Sequence, residues 1–374
     1  MQYLAVLGRQ PEIGLVELES LFGSKSVTPW GNFAALLETE PDINRLGGTQ
    51  KIGRVIYEGP TRDINEAPIN LEEFKRSGKL TFGLSYYGLN ATQRFVVASG
   101  ITMKKRLRGK GSVRFVAPQH GLALGAAQVK FNSLIRNGFE LLIVISKQKM
   151  VVAVTTQLQD IDWYAVRDYK RPTRSAKVGM LPPKLAQIMV NTTSSPHVYD
   201  PFCGTGVILQ ESLLLDRAAS GSDISDEMVE ASIKNLDWLK TQKLISKKWE
   251  VKLSDAKSVK LPSKETCIVS EGYLGPNQSK KVSIEEYKKI SSDLLDLYSK
   301  SLRNWADQLP KNSEVTITAP VWQTTKGWKP LPIVDQLTDL GYTFKQFAHV
   351  KSDALVYRRP DQIVGRQLLI LRKN

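Results

Sequence analysis

The sequence predicts a multidomain protein of the α/β and α+β classes, whose C-terminal half forms a mostly parallel, doubly wound sheet. The first observation is length, because 374 residues are enough for two or three domains. The second is the alternation of strand-like and helix-like patterns after residue 182, which is typical of repeated βα units. The third is the pair of final strand-like stretches, YTFKQFAHV and GRQLLILR, which indicates an antiparallel end to that sheet.

Before residue 162 the sequence predicts two smaller α+β units. In residues 1–75, YLAVLG is strand-like, EIGLVELESLFG is a helix that opens near Pro11, FAALLET is strand-like, and a second helical stretch ends in KIGRVIYEG. From about Leu80, the strand FGLSYYGL, the helix-like FVVASGITMKKRLRGKG and the strand SVRFVAP follow. A helix over GLALGAAQVKFNSLIRNG, closed by Gly138, then precedes the strands ELLIVISKQ and MVVAVTTQLQ.

Residues 163–181 are predicted to be a linker, because basic residues and Pro172 interrupt any regular pattern. The doubly wound unit then begins with the helix PPKLAQIMVNTT, whose prolines suit a first turn. Its strands are predicted at VYDPF, AASGSDI, WEVKLSD, CIVSEGYL and EVTITAPVW. The helices between them are predicted at VILQESLLL, DEMVEASIKNLDWL, residues 285–308 and residues 332–340.

Composition narrows the classes of function. Two cysteines and three scattered histidines argue against a disulfide framework and against a metal site. The sequence shows neither an apolar run of about 18 residues nor a basic leader with a cleavage site, which predicts a cytosolic protein without a membrane partner. A net charge of +15 favours a polyanionic partner, nucleic acid first, although a merely soluble basic surface explains the charge equally well.

Basic residues concentrate in two segments that we expect to contact nucleic-acid phosphates. The first segment carries no acid, and its alternative interpretation is a solvated helix end. It contains Lys104, Lys105, Arg106, Arg108, Lys110 and Arg114. The second lies in the predicted linker and contains Arg167, Lys170, Arg171 and Arg174.

The turn DPFCGTG lies where a strand ends and a helix begins, the place where doubly wound folds bind ligands. Gly204 and Gly206 let the backbone approach a ligand closely. A dinucleotide site would carry a third glycine at the position of Leu209, so pyrophosphate binding is disfavoured. Asp200 would repel phosphates but suits the amino group and sulfonium of S-adenosylmethionine (SAM). Cys203 is interpreted as a small residue in a tight turn, because no histidine base lies in an obvious position.

Two further acids at successive strand ends strengthen this prediction. Asp223, in GSDIS, can accept both ribose hydroxyls, and Asp255, in LSDAK, can accept from the adenine amino group. Loop acids that cap helices are the alternative, which is common for one acid but not for three. The predicted SAM site also includes their neighbours Phe202, Ile224 and Ala256.

The fourth strand end, CIVSEGYLGP, is predicted to face the methyl acceptor. An exocyclic base amine is a poor nucleophile, so its site should accept an amine hydrogen and stack the extruded base. Glu271 could accept that hydrogen and Tyr273 could stack, with Ser270 as a third candidate catalytic residue. A loop acid and a core tyrosine are the alternative. Trp322, in TAPVW, is assigned to the core rather than to the base pocket.

These motifs, together with RPTRSAKVGMLPPKLAQIMVN and YLAVLGRQPEIGLVELESLFG, resemble the THUMP-containing tRNA guanosine-N2 methyltransferases of archaea and eukaryotes over nearly the whole chain. The resemblance implies an N-terminal ferredoxin-like domain (1–75), a THUMP RNA-binding domain (76–162), a linker (163–181) and a Rossmann-like methyltransferase domain (182–374). It also implies that SAM methylates N2 of guanosine ten in tRNA. A small activating subunit and the oligomeric state are left open.

The target-base motif departs from this family, which usually has Asp or Asn, two prolines and an aromatic residue. Here Ser270, Glu271, Gly272 and Tyr273 occupy those positions, similar to a subgroup with Thr-Glu-Pro-Tyr. Either Glu271 accepts the amine hydrogen, or the site acts on another base amine or not at all. A non-catalytic tRNA-binding protein is therefore the main alternative to an enzyme. A nicotinamide-dependent oxidoreductase is a third, opposed by Leu209 and by the positive charge.

Overall fold

The computed structural model describes residues 1–74, 78–108, 111–174, 180–242, 244–263 and 266–374. The chain divides into two compact units, Met1–Asp162 and Trp163–Asn374. None of the helices in the described residues combines the length and the hydropathy that a membrane span requires.

The elements of the first unit are β1 (Tyr3–Leu7), α1 (Pro11–Phe22), β2 (Val27–Trp30), β3 (Ala34–Leu37), β4 (Thr49–Pro60), β5 (Leu80–Tyr87), α2 (Gln93–Arg106), β6 (Val113–Val116), α3 (Ala126–Phe131), β7 (Gly138–Ser146) and β8 (Lys149–Leu158). The strands form one eight-stranded sheet in the order β2-β3-β1-β4-β8-β7-β5-β6. Strand β5 pairs in parallel with β6 and β7, and the other pairs are antiparallel.

The boundary predicted at residue 75 lies outside the described residues, and β4 and β5 on its two sides belong to this same sheet. The division into a ferredoxin-like and a THUMP domain stays a prediction. The sheet nevertheless shows that residues on both sides of position 75 share one layer of backbone hydrogen bonds.

Two of the predicted helices in this unit were wrong. The stretch ending in KIGRVIYEG is strand β4, whose pairing with β8 shifts register between Ile52 and Gly53 and again between Val55 and Tyr57. These irregularities obscure the two-residue period that marks a strand. The helix predicted to reach Gly138 ends at Phe131, because Ser133 adopts a φ of 51°, and Gly138 begins β7.

The second unit confirms the doubly wound prediction. The elements are α4 (Ile161–Tyr169), α5 (Pro183–Asn191), β9 (His197–Asp200), α6 (Val207–Leu214), β10 (Ala218–Asp223), α7 (Asp226–Thr241), β11 (Trp249–Leu253), β12 (Thr266–Glu271), α8 (Ile284–Ala306), β13 (Glu314–Thr324), β14 (Gly327–Pro330), β15 (Tyr342–Phe344), β16 (Val356–Tyr357) and β17 (Val364–Lys373). The sheet has the strand order β11-β10-β9-β12-β13-β17-β15, with β14 paired to β13 and β16 to β17.

Strand direction in this sheet places a site between β9 and β12. Strands β11, β10, β9, β12 and β13 are parallel, and β17 is antiparallel to β13 and β15. The chain builds β9, β10 and β11 in one direction across the sheet and then returns to β12 on the other side of β9. This reversal opens a crevice at the carboxyl ends of β9 and β12.

Helix α4 occupies the first part of the predicted linker and is anchored by a buried ion pair. The Arg167 Nη1 lies 2.5 Å from the Glu211 Oε2 of α6, and the side chains are 3% and 0% exposed. The Arg167 guanidinium also lies 4.1 Å from the ring centroid of Tyr164. Burial raises the pKa of Glu211 and the charge of Arg167 opposes that rise. The interaction fixes α4 to the doubly wound unit.

We predict that Arg167→Met lowers the free energy of unfolding by about 3–5 kcal/mol, because it leaves the Glu211 carboxylate buried without its cation. Urea denaturation measures the change. Lys234→Met, which breaks the exposed pair with Glu230 on α7, is the control and should cost less than about 0.5 kcal/mol. Equal stability of the two variants would contradict the structural role assigned to Arg167.

Candidate active site

A cavity of about 840 Å³ lies at the carboxyl edge of the second sheet. Its walls come from the loops that follow β9, β10, β11 and β12 and from the segment between β16 and β17. Seven of the eight predicted cofactor residues line it, and Gly206 is the exception. The predicted strand-end acids Asp200, Asp223 and Asp255 therefore face one space.

The turn after β9 is shaped by its two glycines in different ways. Gly204 has a φ of 50°, and a Cβ there would meet only the Phe202 carbonyl oxygen at 4.0 Å, so the turn presents open backbone to the cavity. Gly206 has a φ of 82°, and its Cβ would lie 2.4 Å from the Ser232 Oγ of α7. Gly206 thus permits close packing of helices, whereas Gly204 leaves room for a ligand.

Asp223 holds this turn in place. Its carboxylate accepts hydrogen bonds from the Gly204 N–H at 2.9 Å and from the Ser225 N–H at 3.0 Å, one on each oxygen. Each oxygen retains a lone pair that can accept from a ligand. The adjacent Ile224 is 72% exposed, although it is a large apolar residue, and it lines the cavity.

Asp255 and Ala256 form the wall after β11. The Asp255 Oδ1 accepts from the Lys257 N–H at 2.9 Å, and its Oδ2 lies 3.4 Å from the Lys257 ammonium. The Ala256 carbonyl accepts from the Trp305 indole N–H of α8 at 3.0 Å. Phe202 contacts the same Trp305 edge to face, with ring centroids 6.2 Å apart. The wall is therefore fixed to the core while the Asp255 carboxylate stays partly exposed.

Asp200 is buried and is coupled to Ser270. The Ser270 hydroxyl donates to the Asp200 Oδ1 at 2.5 Å, and the Phe202 N–H donates to the same oxygen at 3.1 Å. Burial raises the pKa of Asp200 to about 8, these two donors oppose the rise, and the charges of Asp223 and Glu271 add to it. Ser270 is fully buried and does not line the cavity. Its position is therefore behind Asp200.

Glu271 faces the cavity from the end of β12 and forms an ion pair that the sequence analysis did not predict. The Arg366 Nε of β17 donates to the Glu271 Oε1 at 2.5 Å, and the two side chains are 3% and 17% exposed. Burial raises the pKa of Glu271, and the Arg366 charge opposes that rise. The two residues are 95 positions apart, so no local pattern could have paired them.

The next two residues have distinct surroundings. Tyr273 lines the cavity and is 45% exposed, so its ring is available for stacking. Gly272 is buried, and a Cβ there would lie 2.0 Å from the Tyr298 hydroxyl oxygen and 2.8 Å from the Thr318 carbonyl oxygen. The Tyr298 hydroxyl donates to that Thr318 carbonyl at 2.9 Å and also lies 3.2 Å from the Tyr273 carbonyl oxygen. Tyr298 therefore fills the space beside Gly272.

Three other interpretations can be compared with the structure. Trp322 is 1% exposed and packs in a core cluster with residues of α8 and β17, which confirms its assignment to the core. Cys203 is 4% exposed, and burial raises the pKa of its thiol, which disfavours the reactive thiolate. Among the described residues, no group of three or more His, Cys, Asp and Glu side chains could hold a metal ion.

The predicted phosphate contacts divide into exposed and buried residues. Lys105, Arg106, Arg108 and Arg114 are exposed and Lys104 is half-buried around the end of α2, while Lys110 lies outside the described residues. In the second segment, Lys170 and Arg174 are exposed.

Arg167 and Arg171 contradict the expectation, because each is only 3% exposed. Arg167 is paired with Glu211, and the Arg171 guanidinium contacts the Met180 sulfur at 3.6 Å. A count of basic residues could not reveal that this segment packs against the fold.

Curated proteins that are similar in sequence to this chain are named as tRNA (guanine(10)-N2)-dimethyltransferases. No family model matches the sequence. The chain is 35% identical over 133 residues to a tRNA (guanine(10)-N2)-dimethyltransferase of Methanothermobacter thermautotrophicus, which covers 35% of this chain and 37% of that protein. It is 30% identical over 158 residues to the protein of the same name from Methanocaldococcus jannaschii, covering 38% and 42%. The matched parts thus span less than half the length of these two relatives.

Solved structures agree in fold. TrmN from Thermus thermophilus matches with a TM-score of 0.54 at 14% identity, and the match covers 100% of both chains. SMU.472 complexed with SAH also matches with a TM-score of 0.54, at 13% identity over 99% of this chain and 97% of that chain. At these identities the likeness concerns the fold.

A shorter relative is covered over most of its length. The protein named "Probable tRNA (guanine(10)-N2)-dimethyltransferase" from Methanothermococcus thermolithotrophicus is 37% identical over 120 residues, which make up 30% of this chain and 73% of that relative. On this match the chain belongs to the tRNA (guanine(10)-N2)-dimethyltransferase family.

Proposed function

We propose that the protein is a SAM-dependent tRNA methyltransferase that transfers a methyl group to the exocyclic N2 of a guanosine, guanosine ten of the tRNA core. The observation that carries the proposal is the placement of Glu271 and Tyr273 in the same cavity as Asp200, Asp223 and Asp255. A hydrogen-bond acceptor and an exposed aromatic ring suit a base amine. The three acids and an open glycine turn suit a cationic nucleoside.

The cavity fits SAM by its donor and acceptor set. Asp223 keeps lone pairs for two ribose hydroxyls, and the exposed apolar face of Ile224 suits a base ring. Asp255 can accept from an adenine amino group across the cavity, and Gly204 lets the methionine part approach the backbone. SAM supplies a methyl group already activated by its sulfonium. The protein's contribution is therefore mainly to position the acceptor.

Asp200 favours a cation. A carboxyl with a pKa of about 8 is largely protonated near neutral pH, and a positive charge placed beside it favours the ionised form. The ammonium and sulfonium of SAM would supply that charge. Because Ser270 donates to Asp200 from behind, we assign it as a positioning residue for Asp200 rather than as the acceptor for the substrate amine.

Glu271 is then the acceptor for the amine. As N2 bonds to the methyl carbon and the carbon–sulfur bond breaks, the nitrogen becomes positive and must release a proton. The Glu271 carboxylate, ionised beside Arg366, can accept that proton, while the exposed Tyr273 ring stacks on the base. Arg366 is a positioning residue, because it holds the carboxylate through Nε and favours its charged form.

In this proposal the first unit binds tRNA. The exposed residues Lys105, Arg106, Arg108 and Arg114 around the end of α2 would neutralise phosphates, together with Lys170 and Arg174 of the second unit. In this proposal the first unit comprises the ferredoxin-like and THUMP domains, and the protein acts in the cytosol. A small activating subunit remains compatible with these assignments.

Glu271→Gln tests the reaction. We expect a purified protein to form N2-methylguanosine in unmodified tRNA with SAM, and the variant to lose about 100-fold or more in rate because it cannot accept the proton. Nucleoside mass spectrometry that resolves methylguanosine isomers measures both. Glu286→Gln, exposed on α8, is the matched control and should be unaffected. Wild type that binds SAM and tRNA without producing N2-methylguanosine would contradict the proposed function.

Arg366→Gln should move the acidic limb of the rate–pH profile to higher pH. The substitution removes the charge that opposes the burial of Glu271, so the pKa of Glu271 rises and the carboxylate is protonated at pH values where wild type is active. Arg303→Gln, exposed on α8, is the control. A uniform fall in rate without a shift of the limb would show that Arg366 acts only through structure.

Ser270→Ala should weaken SAM binding more at about pH 7 than at about pH 9. Removing the hydroxyl raises the pKa of Asp200 further, because the ionised carboxylate loses a hydrogen-bond donor. At neutral pH the Asp200 carboxyl must then lose its proton when the cation binds, and this deprotonation costs more free energy in the variant. Titration calorimetry at both pH values measures this difference. Ser212→Ala removes a buried hydroxyl bonded to the Ile208 carbonyl and serves as control. An equal loss of affinity at both values would refute the coupling.

A further inference from the structure

Six cations lie on three segments next to the cavity, and the sequence analysis assigned none of these segments to a partner. Five are exposed and Lys329 is half-buried. They are Lys280, Lys281, Lys326, Lys329, Arg358 and Arg359, which we call the basic rim. We propose that the basic rim binds the tRNA phosphates that flank the target nucleotide, an inference that rests on the proposed function of the cavity.

The backbone places the rim beside the cavity. Lys280 and Lys281 directly follow Ser279, and Arg358 and Arg359 precede Asp361; Ser279 and Asp361 both line the cavity. The Val282 N–H donates to the Gln323 carbonyl at 3.0 Å, and the Gln323 N–H donates to the Ile363 carbonyl at 2.8 Å.

The hairpin of β13 and β14, which carries Lys326 and Lys329, belongs to the same assembly because the Thr325 N–H donates to the Val282 carbonyl at 3.1 Å. Three separate segments of the chain are thus tied together at the end of β13. Their cations therefore lie on one hydrogen-bonded assembly next to the cavity.

Aromatic rings orient two of the cations. The Arg358 guanidinium lies 5.1 Å from the ring centroid of Trp328, and the Lys329 ammonium lies 5.9 Å from that of Tyr287. Tyr287 in turn packs edge to face on the buried Trp322, with ring centroids 5.7 Å apart. Contacts of this kind hold long side chains near one geometry and reduce the entropy lost when they bind a ligand.

The rim continues into the segment that follows α4. The Arg359 Nε lies 3.5 Å from the Tyr357 hydroxyl, which raises the pKa of the guanidinium, and the charges of Asp168 and Tyr169 act on it as well. The Arg174 guanidinium lies 4.9 Å from the ring centroid of Tyr169. Tyr169 therefore interacts with both Arg359 of the rim and Arg174.

Charge separates the rim from the cavity interior. Six carboxyl groups line the cavity against two cations, Lys257 and Arg366, so a phosphate would be repelled inside it, whereas the rim attracts one. A nucleic acid is complementary to this charge distribution when its phosphate backbone binds the rim and one unstacked base enters the cavity.

The test compares two triple variants of equal net charge. The rim variant is Lys326→Gln, Lys329→Gln and Arg358→Gln. The control variant is Lys240→Gln, Lys248→Gln and Lys311→Gln, three exposed lysines near the amino ends of parallel strands, at the opposite edge of the sheet. Binding of an unmodified tRNA transcript is measured by filter retention over a series of salt concentrations, with SAM binding as the check of folding.

For the rim variant we expect affinity to fall about tenfold or more and the slope of log affinity against log salt to decrease by about 2–3, because each lost phosphate contact removes about 0.7–0.9 from the slope. The control should change little. Equal affinity and equal slope in the two variants would overturn the inference. If wild type binds tRNA but forms no N2-methylguanosine, the proposed reaction fails, whereas the rim comparison still decides where tRNA binds.

Discussion

The ion pair between Glu271 and Arg366 sets the charge of the cavity on which the other assignments depend. Six carboxyl groups line this space, and the charges of Asp223 and Glu271 already raise the pKa of Asp200. Arg366 neutralises one of the six, Glu271, and it does so from a buried position on the antiparallel strand β17. Glu271 can then stay ionised as an acceptor, while the remaining acids favour a cationic ligand.

The same arrangement explains how the variant motif can work. The Ser270 hydroxyl donates to Asp200 and does not enter the cavity. The Tyr298 hydroxyl occupies the space that a Cβ at Gly272 would fill, and it also contacts the Tyr273 carbonyl. Glu271, Gly272 and Tyr273 all line the cavity, and only Ser270 lies behind it. Of the three lining residues, Glu271 and Tyr273 carry the side chains that meet a base in the proposed function.

Sequence reasoning could predict the convergence of Asp200, Asp223 and Asp255, because parallel strands bring their carboxyl ends to one edge. It could not pair Glu271 with Arg366, because the two residues are 95 positions apart and only the antiparallel strand β17 brings them together. It also could not separate exposed from buried cations: Arg167 and Arg174 look alike in the sequence, yet one is paired with Glu211 and the other is exposed. Strand β4 was read as a helix because two register shifts hide its period.

A net charge of +15 and an acidic cavity coexist because carboxyl groups outnumber cations by six to two among the residues that line the cavity, and the other cations lie outside it. We infer that this interior selects a cationic nucleoside without phosphates. The deciding experiment is calorimetric titration of the purified protein with SAM and with NAD. SAM should bind, Asp223→Ala should abolish this binding, and NAD should not bind. Binding of NAD as tight as that of SAM, or SAM binding unaffected by the substitution, would contradict this inference.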